Sequence, residues 1–81
     1  MITIDVSVPI IGKTYDFSLD ENILVEMATE EIVEMIVQKE GYSAQEASGL
    51  FLFSEKNREA LNLSCSLKEN GVDTGDRLLL V

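Results

Sequence analysis

An 81-residue chain that is 46% apolar has the size of one small globular domain, residues 1–81, and no run nearing the roughly 18 apolar residues of a membrane span. Fifteen acids against six bases give a net charge of −9, which repels nucleic acid and anionic lipid, favours a partner with a basic surface and keeps a small domain soluble. With no histidine, no tryptophan and one cysteine, the composition excludes Ser-His-Asp and Cys-His catalysis, His-containing metal sites and an internal disulfide.

The opening "MITIDVSV" alternates Ile2, Ile4, Val6 and Val8 with Thr3, Asp5 and Ser7, the period of a half-buried strand. Its early acid is unlike the basic start of a signal peptide. Together with the lone Cys65, this predicts a cytoplasmic protein. "PIIGKT" supplies a turn, since Pro9 cannot donate to a ladder and Gly12 tolerates a positive φ. Tyr15, Phe17 and Leu19 then alternate along a second strand, so the two strands form a hairpin.

At Asp20 and Asn22, residues suited to helix starts, the period changes to 3.6. A helix over residues 23–40 is expected to gather Leu24, Val25, Ala28, Ile32, Met35 and Ile36 on one face and to stop at Gly41. Val33 and Val37 widen that stripe, and Met27 points outward. "GLFLF" reads as a third strand, "ALNL" as a short return strand and "DRLLLV" as the last. Leu67 and Val72 plug the core from the irregular stretch between them. Strand–strand–helix–strand–strand needs a sheet covered by one helix. The all-apolar "LLLV" suits the middle of that sheet, giving an α+β fold of the ββαββ β-grasp kind.

At these residues the chain resembles ubiquitin. "GKTYDFSL" is similar to the turn and second strand of ubiquitin's first hairpin, and "QKEG" to the end of its helix. "SLKENGVDTGDRLLLV" resembles the ending Leu-x-x-x-Gly-Ile-x-x-Gly-Asp-x-Leu-x-Leu, with Leu61 and Leu67 spaced as the equivalent leucines are. Among ubiquitin-like proteins without a Gly-Gly tail, "CSLKENGVDTGDRLLLV" resembles the YukD/EsaB-like family. These free-standing bacterial proteins are encoded with Gram-positive type VII (WXG100) secretion systems. That resemblance implies a non-catalytic cytoplasmic accessory with no cofactor, whose partners are components of the secretion machinery. Val81 is expected to lie inside the last strand, which disfavours conjugation and sulfur transfer. Two alternatives stand beside this reading: a modifier or sulfur carrier whose Gly-Gly lies outside this sequence, and a ubiquitin-like module of a larger chain. A stop codon directly after Val81 would favour the first reading.

Surplus apolar residues mark the candidate site. In "LFLF", Leu50 and Leu52 face one way and Phe51 and Phe53 the other, and only one row can face the helix. With Leu78 and Leu80 inward, Leu79 and Val81 point out. Ile10, Ile11, one of Phe51 or Leu52, Leu79 and Val81 are expected to converge on the open face of the sheet as a protein-binding patch, for a partner or a second copy. Cys65 reads as a structural residue. In "TGDR", Asp76 is expected to cap local N–H groups while Arg77 pairs with nearby acids.

Overall fold

The computed structural model describes residues 1–43 and 49–81. Alternation makes β1 (Ile2–Val8) and β2 (Lys13–Leu19) an antiparallel hairpin in full register, from Ile2 opposite Leu19 to Val8 opposite Lys13. The connection is tighter than a simple turn. Pro9–Ile11 form one turn of 3-10 helix, and Gly12 closes it at φ 65° with its N–H on the Pro9 carbonyl. Helix α1 (Val25–Glu40) follows, then the short strands β3 (Leu52–Ser54), β4 (Glu59–Ala60) and β5 (Arg77–Leu80).

Among the described residues the strands form one sheet in the order β2-β1-β5-β3-β4. The last strand is central, parallel to β1 and antiparallel to β3. This is the expected β-grasp arrangement. The reason lies in the side chains: Leu78 and Leu80 are each 1% exposed, and a strand apolar along its length is most stable with neighbours on both edges.

One face of the sheet is filled by α1. Val25, Ala28, Ile32 and Ile36 are buried against Ile4, Val6, Phe17, Leu52 and Leu78, with Leu67 and Val72 closing the core from the irregular segment, as expected. Two residues leave the expected helical stripe. Leu24 precedes the helix in extended geometry (φ −63°, ψ 139°), bridges to Ser66 and is exposed. Met35 is also exposed, because the helix is rolled so that Val33 flanks the stripe instead. Met27 points outward as expected.

The helix start also differs from expectation. No side chain caps it; the Asp20 carboxylate accepts the Asn22 N–H at 2.9 Å in a local turn. The free N–H groups of the first turn reach across the chain instead: Val25 donates to the Cys65 carbonyl (2.9 Å) and Glu26 to that of Leu63 (3.2 Å). Leu67 and Lys68 donate in return to Ile23 and Glu21, so residues 63–68 are laced to the helix entry. A reciprocal Ser66–Glu69 pair stiffens this segment. The Ser66 N–H donates to Glu69 Oε1 (2.8 Å) and the Glu69 N–H to Ser66 Oγ (3.0 Å), the geometry of a capping box. The helix ends as expected, at Gly41 with φ 76° and its N–H on the Val37 carbonyl.

Candidate protein-interaction surface

The pleat sends alternate residues of each strand to the face that α1 leaves open. Register then aligns them in rows. One row runs Thr14, Ser7, Leu79, Phe53 and Ala60 across all five strands. The next is Phe51 beside Val81, which exchange both backbone hydrogen bonds (2.7 and 3.0 Å) and so extend the β3–β5 ladder by one pair. On the other side of the central row, Asp16, Asp5 and Arg77 are aligned, with Glu55 next to Arg77 through the Glu55 N–H to the Arg77 carbonyl. The open face thus carries an apolar quartet, Phe51, Phe53, Leu79 and Val81, bordered by a charged row. Phe51 and Val81 are about half exposed; Phe53 and Leu79 are half-buried.

The expected patch is redistributed. Leu79, Val81 and Phe51 lie on the open face. Leu52 does not: it is 1% exposed, inside the core opposite Leu80, so it is removed from the site. Its parity decides the matter, since Leu52 and Ser54 point inward with Leu78 and Leu80. Phe53, left out of the expected set, belongs to it by that same parity. Ile10 and Ile11 are also displaced. The 3-10 turn carries them off the sheet plane to a separate groove of about 200 Å³ on the helix side, lined with Val33, Ile36, Tyr42 and Leu50. Ile10 is 84% exposed, while Ile11 packs against the core.

Electrostatics divide the face. Asp5 and Asp16 stand directly opposite each other, a pairing of like charges that opposes folding. Hydrogen bonding with the Asp5 carboxyl, and then its charge, hold the Asp16 pKa above the ordinary carboxylate value. A raised folded-state pKa on an acid means a penalty that exists above that value and is relieved as pH falls through it. Asp16→Asn should therefore raise Tm by a few degrees at neutral pH. The gap between variant and wild type should close as the solution is acidified through the Asp16 pKa, measured by thermal melts across acid pH. An unchanged gap on acidification would mean that the two carboxyls do not interact.

At the sheet's β5 end, Asp76 Oδ2 accepts the Asp73 N–H (2.9 Å) and Lys56 Nζ (3.0 Å). The first of these bonds, with Lys56 behind it, holds the Asp76 pKa below the ordinary value. Arg77 Nε lies 4.0 Å from Glu55 Oε2. Both residues thus act locally, as expected of a turn.

A second cluster fastens β2 to the end of α1. Lys13 Nζ binds both Glu40 oxygens (2.6 and 2.8 Å), which raises the Lys13 pKa and lowers that of Glu40. Lys39 Nζ sits 5.2 Å above the Tyr15 ring, a cation–π contact. The buried Tyr15 hydroxyl has no hydrogen-bond partner among the described residues, and burial, with the adjoining Glu40 carboxylate, raises its pKa. Cys65 is a half-buried free thiol, and no group of His, Cys, Asp or Glu among the described residues has the arrangement of a metal site. No helix among them is long and apolar enough to cross a membrane.

No protein-family model and no curated protein matches this chain significantly. Solved structures do. The EccD5 ubiquitin-like domain from Mycobacterium xenopi superposes with a TM-score of 0.77 over 99% of this chain and 91% of that one, at 20% identity. Caldiarchaeum subterraneum ubiquitin gives 0.71 over 98% and 89%, at 16% identity. The N-terminal ubiquitin-like domain of the 4931431F19Rik protein gives 0.67 over 99% and 72%, at 21% identity. The fold is therefore that of a ubiquitin-like β-grasp domain.

Proposed function

We propose that this chain is a non-catalytic ubiquitin-like interaction protein, a cytoplasmic accessory of a Gram-positive type VII secretion system, working through the open face of its sheet. The observation that carries the binding role is the quartet Phe51, Phe53, Leu79 and Val81, an apolar cluster on the face opposite α1. A domain with its core already filled gains nothing in folding from apolar side chains left in water, so a contiguous set of them suits a partner. The pathway is supported by the likeness of "CSLKENGVDTGDRLLLV" to the YukD/EsaB-like ending. The likeness to the EccD5 ubiquitin-like domain favours the same assignment. The partners are cytoplasmic regions of the secretion machinery.

The test is capture of the cytoplasmic part of a type VII secretion membrane ATPase from the same organism, with Leu79→Glu and Phe53→Glu as probes. Each variant should keep a cooperative melt, because both side chains leave the core. Each should weaken binding by about tenfold or more, since a charge is forced into an apolar contact. Undiminished capture by both folded variants would remove the open face from the reading.

A further inference from the structure

We infer that the apolar quartet takes a partner segment that is itself apolar and basic, with Lys or Arg about two helical turns from its apolar anchor, and not a second copy of this chain. The inference rests on the reading above that this face binds protein. Its basis is the row beside the quartet: Asp16, Asp5, Arg77 and Glu55, three carboxylates to one cation. Arg77 is engaged by Glu55 at 4.0 Å. Among the described residues no lysine or arginine forms an ion pair with Asp5 or Asp16, so two carboxylates stand uncompensated beside the apolar cluster.

Geometry sets the spacing. Side chains two residues apart on one strand face lie about 7 Å apart, which separates Asp5 from Ser7 and Arg77 from Leu79. The centre of the Asp5–Asp16 pair is also two strands over from that of the Leu79–Phe53 pair, at about 4.8 Å per strand, so the two are roughly 12 Å apart. Two turns of helix rise about 11 Å, so a helix with an apolar residue at i and Lys or Arg at i+7 or i+8 seats its anchor on Leu79 and Phe53 and its cation on Asp5 and Asp16. A two-fold self-contact would instead press two acidic rows together on chains that each carry a charge of −9.

The experiment is an amide chemical-shift titration of the whole chain with three synthetic helical peptides. They share one Leu/Ala face and differ only in flanks of Lys, Gln or Glu. The Lys peptide should move the amides of residues 51–53 and 79–81. Its affinity should fall about tenfold in the Asp5→Asn/Asp16→Asn variant and decline with added salt. The Glu30→Gln/Glu34→Gln variant, with the same change of charge on the exposed helix face, should bind as wild type. Equal binding of the Gln or Glu peptide at residues 51–53 and 79–81 would overturn the basic preference and leave the face itself standing. Lys-peptide shifts centred on the helix acids, or equal losses in both double variants, would overturn it as unselective charge attraction. Concentration-dependent shifts of the free chain at the quartet would show self-association and overturn it too. If no peptide moves the open face, the underlying reading of that face falls as well.

Discussion

A chain lacking residues 77–81 should not fold. Those residues supply β5, the strand with a partner on each edge, so their removal leaves the exposed ladder groups of both β1 and β3 unpaired. It also removes Leu78 and Leu80 from the centre of the core. Truncating one buried leucine to alanine costs about 2–5 kcal/mol, so losing two outright removes at least as much again. A domain of this size holds only about 5–10 kcal/mol in total. The expected result is a far-ultraviolet spectrum of disordered chain and loss of amide dispersion at every temperature. Survival of a cooperative melt would mean that the sheet closes without β5. Leu79→Glu is the matched control, since it alters the same strand on its outer face and should leave the fold intact.

Replacing Leu67 with alanine is the second large effect, and it falls in a stretch with no regular secondary structure. Leu67 is fully buried, its N–H donates to the Ile23 carbonyl (3.1 Å) and its carbonyl accepts the Val72 N–H (3.0 Å). Backbone bonds on both sides hold the residue in place, so its surroundings have little freedom to collapse into the space an alanine leaves. The cost should lie near the upper part of the range of about 2–5 kcal/mol for such truncations. Urea denaturation should show a much lower midpoint with an unchanged slope. Leu63→Ala, four residues earlier and partly exposed, should shift stability by no more than about 0.5 kcal/mol. Similar midpoints for the two variants would mean that Leu67 is not a core plug.

Much of the architecture is legible in local patterns. The alternation of Ile2, Ile4, Val6 and Val8 sets the inner face of β1, and the unbroken "LLLV" marks the central strand. Leu67 and Val72 stand out as isolated apolar residues in a polar stretch, and both are buried. What escapes the sequence is set by residues far apart in the chain. Asp20 and Asn22 have the right chemistry for a helix start, yet the helix begins where the carbonyls of Leu63 and Cys65 arrive to receive its N–H groups. No local signal announces that meeting. Likewise "LFLF" is symmetric: either row fits a core, and only the register against Leu78 and Leu80 sends Leu52 inward and Phe51 and Phe53 out. Ile10 and Ile11 are misassigned for a third reason. A proline-led 3-10 turn rotates the chain out of the strand's period, so alternation from β1 cannot be extrapolated through it.

The adjacency of β1 and β5 has a consequence for how the protein is made. The middle of the sheet is synthesised after everything it joins, so the emerging hairpin and helix must wait on the ribosome with their apolar faces unsatisfied. Contacts spanning nearly the full sequence also slow the final search, because so long a loop must close before any of them is gained. During that interval the many carboxylates have a further use: mutual repulsion between nascent chains holds them apart until the sheet can close.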